Sequence, residues 1–367
     1  MSSRVLVVGA GIVGVAIADR LQEAGWAVTL FEAAIPGGGT TAAAMGHLAV
    51  LDDSPAQMAL TSRGVSLWRQ EALPRGCERE ARGTLWLALT AAERDEAQAK
   101  AERYRKAGVA AEYLDSGRLR AEEPALRPGL AGAMLVPGDQ VLYQVGAARF
   151  LLERALGRGA TLVREPVRTL EPGGLRTDSA RFQGEAVILA AGTGSGGLLP
   201  ALPIVPRRGH LAITDRAPSL VRHQILELGY LQSAHGREAS SVAFNVQPRA
   251  TGQLLIGSSR EFAGLDPAPN RTLLAAMLER AVEYLPALAQ VPVVRVWTGF
   301  RPCGPWNLPA IGPWPGRDGL FVATGHEGFG ITTALSTAEL VAHHVAGTPA
   351  TFDPEPFLPK VQETVQG

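Results

Sequence analysis

Four consecutive apolar positions, Val5 to Val8, follow Arg4 and read as a short strand covered on both faces. The period then changes. GAGIVG, residues 9–14, leads into VAIADRLQEAG, whose apolar positions recur at helical spacing, and AVTLFEA returns to a strand. This is a strand, turn, helix and strand unit of about thirty residues. Residues 91–108 predict a charged surface helix and residues 147–156 a second helix, while residues 84–89 and 133–136 predict strands. ATLVREPVRTLEP and GLRTDSARFQGEAVILAAG lead into more strands. RGHLAITD, SVAFNVQPRATGQLLIGSS and VVRVWTGF show strand-like runs broken by turns, the pattern of an antiparallel sheet, with a hairpin loop at residues 251–253. Residues 267–288 predict a loop and one helix. GLFVATG then delivers the chain into a second glycine-rich helix start, GHEGFGITTALSTAELVAHH, at residues 325–344.

Composition bounds the answer without choosing it. A chain of 367 residues with 46% hydrophobic residues and a mean hydropathy of +0.07 can bury one large or two interleaved domains. The formal net charge is zero and no charged run stands out, which gives no reason to expect nucleic acid or another polyanion. The cysteines, Cys77 and Cys303, are far apart and lack metal-ligand spacing, so neither a disulfide framework nor a zinc site is expected. They cannot supply an iron–sulfur cluster, so any such cluster belongs to another chain. No signal peptide or membrane-length apolar run is read, and a cytoplasmic location is expected, with peripheral attachment to an inner membrane left open.

The two glycine-rich turns carry the chemistry. In GAGIVG, Gly9 permits a tight turn, Gly11 lets backbone approach a pyrophosphate and Gly14 lets helix and strand pack closely. Phosphates would sit on open N–H groups at the helix start, with Ile12 and Val13 beside them. Glu32 closes the second strand, where an acid accepts from an adenosine ribose and disfavours a 2'-phosphate. FAD or NAD is therefore expected over NADP. The late turn decides between these two, because a flavin ring gains electron density on reduction and a helix N-terminus stabilises it. Gly325, Gly328 and Gly330 would let backbone lie against the ring, with His326, Glu327, Phe329, Ile331 and Thr332 in the same turn. VILAAG brings Ala191 and Gly192 close to a dinucleotide from another direction, and EPVRTLEP offers Val167 to the adenine.

This order of GAGIVG, Glu32, EPVRTLE, VILAAG, GFRP...LPAIG and GHEGFG resembles the flavin-dependent amino acid oxidoreductase family of D-amino acid oxidase, glycine oxidase and sarcosine oxidase. The resemblance implies an α/β fold, α+β overall: a Rossmann-like FAD-binding domain interleaved with a mixed or antiparallel-sheet substrate domain. The FAD-binding part is expected at residues 1–50, 140–205 and 295–367, and the substrate part at residues 51–139 and 206–294. Within the family, TTAAAMGHL and SVAFNVQPRATGQLLIGSSREF look most like D-hydroxyproline dehydrogenases and related proline or opine dehydrogenase subunits. The reaction implied is oxidation of a C–N bond by hydride transfer to flavin N5. The leading substrate expectation is cis-4-hydroxy-D-proline or D-proline. The alternative is a glycine, sarcosine or D-amino acid oxidase that uses oxygen and releases peroxide.

The resemblance also places residues. Arg301 in GFRP matches the arginine that grips the substrate carboxylate, which a guanidinium can do with two parallel hydrogen bonds. Thr40, Thr41, Ala44, Met45 and Gly46 belong to a run that passes close to the flavin ring. His47, next in sequence, could accept a proton from a secondary ammonium or bond a ring hydroxyl. His326 is a candidate beside the flavin, and His210, Tyr143, Tyr230 and Asn245 are candidates on the substrate sheet. Cys303 does not align with the flavin-linking cysteine of some sarcosine oxidases, so noncovalent FAD is expected. Trp306 stands where many relatives have an aspartate. Partners implied are a small amino acid and either flavin or iron–sulfur electron-transfer subunits or further copies of the chain. A rival reading, a non-catalytic NAD-binding regulatory protein, uses only the first unit and leaves residues 325–330 without a role.

Overall fold

The structure is a computed structural model that describes residues 3–229 and 240–361. Two sheets dominate it. The six-stranded sheet runs in the order Ala310–Pro313 (β18), Leu320–Thr324 (β19), Ala186–Leu189 (β12), Arg4–Val8 (β1), Ala27–Phe31 (β2) and Thr161–Val163 (β8). All its pairs are parallel except β18 with β19. β1 sits inside it with Val5, Leu6 and Val7 fully buried, as its unbroken apolar run predicts. A strand order that reverses around β1 leaves a crevice at the carboxyl ends of the strands, where α/β sheets take ligands.

The eight-stranded sheet runs Val293–Cys303 (β17), Val205–Thr214 (β13), Leu254–Glu261 (β16), Ser240–Pro248 (β15), Gln224–Glu227 (β14), Thr84–Ala88 (β4), Gly132–Val136 (β6) and Glu112–Asp115 (β5). It is mixed: β14 pairs with β4 in parallel and the other pairs are antiparallel. The boundary at residue 295 falls inside β17. Two small sheets complete the set. Thr169–Glu171 (β9), Gly174–Arg176 (β10) and Arg181–Gln183 (β11) form one, and His47–Leu48 (β3) pairs with Gln140–Val141 (β7).

Helices cover the six-stranded sheet. Ile12–Glu23 follows β1 directly and packs against Gln144–Gly157 and the late helix Gly330–Ala346. The late helix is apolar around most of its circumference and buries Ile331, Ala334, Leu335, Ala338, Leu340 and Val341, as an interior helix must. It stops at Gly347, whose φ of 67° supplies the left-handed C-terminal cap. Pro55–Gln70 lies against it so closely that a Cβ on Gly64 would stand 2.2 Å from the Thr332 carbonyl oxygen. The helix read at residues 91–108 forms as Ala91–Lys106, but it is less of a surface helix than its charge suggested. Its inner face buries Ala97, Lys100, Ala101 and Tyr104, and the Lys100 ammonium meets Asp52. Among the described residues, no helix is long and apolar enough to cross a membrane.

Gly64→Ala is expected to lower the thermal unfolding midpoint through overpacking, a cost of about 1–3 kcal/mol. Gly157→Ala, at a helix end with nothing within 4 Å of the added carbon, should leave the midpoint unchanged or raise it slightly. Melting both variants beside the wild type checks this contrast.

Candidate active site

One cavity of about 460 Å³ runs between the two sheets, from the first glycine turn to the late one. At its first end, Gly9 has a φ of 104°, and a Cβ there would stand 2.5 Å from the Ala190 carbonyl oxygen. Gly14 packs the helix onto the strand, with its absent Cβ 1.8 Å from Gly9 O. Gly11 behaves differently. Its missing side chain would meet only Thr41 Oγ1, at 3.5 Å, so the space beside it is open cavity. The helix starts with no side-chain cap at Gly11, and Thr41 Oγ1 accepts from Ile12 N at 3.0 Å. The remaining N–H groups of that first turn have no intrahelical partner and suit an anion.

Glu32 lines this end, and backbone amides fix its carboxylate: Ala10 N donates to Oε2 and Ala34 N to Oε1, each at 2.9 Å. A carboxylate oxygen accepts more than one hydrogen bond, so both can still receive hydroxyl groups. An orienting pair of amides and a glycine floor with room above it fit the adenosine and pyrophosphate of a dinucleotide.

At the far end four elements converge. Residues 40–46 cross the cavity as irregular backbone. Gly46 is required there, with a φ of 92° and a Cβ position 2.0 Å from Leu142 O. His47 follows in β3. Arg301 lies within β17, directly opposite Arg207 of β13. Arg301 Nη1 donates to Ser259 O at 3.1 Å and passes over Gly209, where a Cβ would stand 2.3 Å from that nitrogen.

Glu327 is the electrostatic centre. Its Oε1 lies 3.7 Å from Arg207 Nη1, 3.7 Å from Arg260 Nε and 4.0 Å from Arg301 Nε. Burial pushes the Glu327 carboxyl up, but Arg260, Arg301 and Arg207 outweigh it and hold the pKa below the ordinary glutamate value. Its backbone is left-handed, with a φ of 50°, and its Oε2 accepts from Gly328 N at 2.7 Å.

The two cavity histidines are neutral. Burial lowers His47 to about 4, against the raising effect of hydrogen bonds with Gln224 and Asn245, and the Arg249 charge lowers it further. Burial alone lowers His326 to about 4, and its Nε2 lies 3.0 Å from Thr337 Oγ1.

Most expected residues reach the cavity wall. Gly9, Gly11, Ile12, Val13, Glu32, Thr40, Thr41, Ala44, Met45, Gly46 and His47 line it, as do Val167, Ala191 and Gly192. Asn245, Arg301, His326, Glu327, Gly328, Gly330 and Ile331 line the remainder. Gly14 and Gly325 sit behind the wall, Gly325 with a φ of 79°. Thr332 and Phe329 also stand back from it: Thr332 Oγ1 donates to His47 O at 2.9 Å, and Phe329 is the N-cap of the late helix.

Two substrate candidates are not brought to the cavity. Tyr143 is 39% exposed, with its ring under the Arg249 guanidinium. His210 is spent on its neighbours: Nε2 accepts from Asn270 N at 2.9 Å, and Nδ1 lies 2.7 Å from Ser259 Oγ. Tyr230 lies outside the described residues. Sequence reasoning missed Gly209, Ser258, Gln224, Arg207 and Arg260. Only the alternation along β13 and β16 could have hinted that their charged residues point inward.

The fold and cavity thus define a protein built to hold an extended dinucleotide between a nucleotide-binding sheet and a second, mixed sheet. The chain belongs to the FAD-dependent oxidoreductase family, whose profile, described as "FAD dependent oxidoreductase", matches residues 4–344. It is 32% identical to a glycine oxidase of Pseudomonas aeruginosa, over 98% of this chain and 99% of that protein. The crystal structure of glycine oxidase from Geobacillus kaustophilus superposes with a TM-score of 0.86 at 27% identity, covering 99% of this chain and all of that one. The L-proline dehydrogenase of P. horikoshii shares the fold, with a TM-score of 0.88 at 21% identity over 98% of this chain and 97% of its own. The protein uses FAD.

The depressed histidines give a signed pH dependence. A buried histidine whose folded pKa lies below its unfolded value of 6.5 contributes stability that is fully present above pH 6.5 and is lost as pH falls towards about 4. His326→Gln removes that proton linkage. The wild-type stability relative to the variant should therefore drop by roughly 3 kcal/mol between pH 7.5 and pH 4, as read by denaturant unfolding.

Proposed function

We propose that this protein oxidises the C–N bond of a small amino acid with FAD as its cofactor, in the manner of a glycine or sarcosine oxidase. The observation that carries the reading is the single cavity that joins Gly11 and Glu32 at one end to Gly328 and Arg301 at the other. A nucleotide-binding protein without redox chemistry has no use for the second end. The near full-length likeness to a protein named glycine oxidase supports the substrate class.

When bound, FAD supplies the two-electron acceptor for this oxidation. Glu32 and the first helix would hold its nucleotide half, and residues 40–46 with the late helix start would hold its ring. Arg301 presents the guanidinium that anchors the substrate carboxylate, and β13 offers Gly209 so that this guanidinium can lie flat against the sheet. The walls formed by Met45 and Leu211 are apolar and exclude water from the reacting carbon. FAD is held noncovalently. Cys303 stands outside the cavity wall and donates to Gly304 O, and burial raises its thiol pKa, which leaves little thiolate to attack a ring.

The narrower expectation, cis-4-hydroxy-D-proline or D-proline, involves the same chemistry at a ring secondary amine and belongs in the same experiment. The reconstituted protein should absorb in the visible range, and glycine, sarcosine, D-proline or the hydroxyproline should bleach it under anaerobic conditions. Peroxide yield against dye reduction during turnover then separates an oxidase from a dehydrogenase. Failure of every small amino acid to bleach a fully loaded protein would sink the reading.

Gly209→Ala pushes on Arg301 Nη1 and on the Ser259 carbonyl oxygen without touching the nucleotide end. It should raise KM for the substrate at least tenfold while FAD content, measured by absorbance ratio, stays at the wild-type level.

A further inference from the structure

We propose that Asn245 and Ser258 read the nitrogen of the substrate, with Asn245 Oδ1 accepting its N–H. This inference rests on the amine-oxidation reading above and adds the residues that distinguish an amino acid from other small carboxylates.

A chain of hydrogen bonds fixes the direction of the Asn245 amide. Gln224 Nε2 donates to Gln140 O at 3.3 Å, so Oε1 is the Gln224 atom that meets His47 Nδ1. An amide oxygen only accepts, and Nδ1 therefore carries the proton. A neutral imidazole has a single N–H, which leaves Nε2 as an acceptor. Asn245 Nδ2 stands 3.2 Å from Nε2 and donates to it. Turning the amide over would set oxygen against a bare ring nitrogen, acceptor against acceptor. His47 is thus a positioning residue here, and a main-chain carbonyl at Gln140 ultimately sets which Asn245 atom is left over.

The atom left over is Oδ1. It is buried and, among the described residues, has no hydrogen-bond partner, and the same holds for Ser258 Oγ. Asn245 and Ser258 are 1% and 2% exposed, and both line the cavity. They lie on adjacent strands, since Asn245 pairs with Gly257, the residue before Ser258. Leaving such a group unpaired carries its full desolvation cost, which a ligand donor would recover.

Chemistry sorts which part of the ligand that is. A substrate carboxylate only accepts and gains nothing from an amide oxygen. An amine or ammonium donates, which is what an amide oxygen needs. Arg301 offers the opposite set, donors alone. Arg301 therefore gives and Asn245 Oδ1 receives, which matches an amino acid and only half matches a carboxylate without nitrogen.

The test uses the FAD-loaded enzyme, the amine that it oxidises best among glycine, sarcosine and D-proline, and acetate as a nitrogen-free competitor. Asn245→Leu should raise KM for the amine roughly 10- to 100-fold, while the inhibition constant of acetate shifts less than about threefold. Ser258→Ala removes one oxygen and little volume; it should raise KM by about three- to tenfold with the same indifference to acetate, and it carries the test alone if Asn245→Leu fails to hold FAD. Equal weakening of amine and acetate, or an unchanged KM in both variants, overturns the assignment. A panel in which no amine is oxidised overturns the functional reading and this inference with it, whereas normal oxidation by Asn245→Leu and Ser258→Ala overturns only this inference.

Discussion

The cavity depends on an irregular stretch of backbone being acceptable in the interior. Residues 40–46 form no strand, yet they cross between two sheets with Ala42 alone among them exposed, and a buried carbonyl without a donor is costly. Side chains from far along the chain supply the donors. Trp297 Nε1 bonds Ala43 O at 3.1 Å, Gln144 Nε2 bonds Ala44 O at 2.6 Å and Gln247 Nε2 bonds Met45 O at 3.0 Å. Gly46 O accepts from Leu142 N at 2.9 Å, and Thr40 Oγ1 donates to Phe300 O at 2.6 Å. This stretch is built mostly from alanine, threonine and glycine because anything larger would fill the space it borders; a Cβ on Gly299 would already stand 2.7 Å from Ala43 Cβ. The mixed sheet is thereby fixed against this segment, Thr41 ties the same segment to the first helix, and the gap between the sheets is the cavity.

The same economy appears in the charges. Arg207 and Arg301 face each other across β13 and β17, a like-charge pairing that destabilises a sheet when nothing intervenes. Glu327 intervenes, and Arg260 joins from β16. Reaching that position requires a left-handed backbone at a non-glycine residue, a cost of about 1–2 kcal/mol. Strain of this kind persists where the surroundings over-determine it. Here the late glycine turn is held in place by the arginines around its third residue, Glu327, so the helix start and Arg301 are parts of one electrostatic unit.

Much of this was legible in the sequence because it depends on local rules. The apolar run of β1, the change of period at Gly9 and the corner at Gly325 each require one conformation within a few residues. The double turn and its acid, Glu32, come from such rules, and the alternation of the antiparallel strands gives the second sheet. The unread parts are non-local. Nothing near His47 announces that Gln224 will fix its tautomer, and nothing near Lys100 says that its charged helix turns that residue inward to Asp52. Tyr143 and His210 failed to reach the cavity for the same reason: polar residues on or near the substrate sheet find neighbours first, Arg249 in one case and Ser259 with Asn270 in the other. Arg301 was found only by resemblance, since its own neighbourhood does not distinguish it from Arg207 or Arg208.

The late turn now has a division of labour along its length. Gly325 makes the corner with a positive φ, His326 is a neutral buried ring bonded to Thr337, and Glu327 gathers the arginines. Gly328 is different, because its missing Cβ would lie 3.7 Å from Arg301 Nε in ordinary contact, with no backbone in the way. The protein itself would tolerate a larger residue there. The absent side chain leaves room instead between the helix start and the guanidinium, which is where the proposed reading sets the flavin ring and the substrate carboxylate.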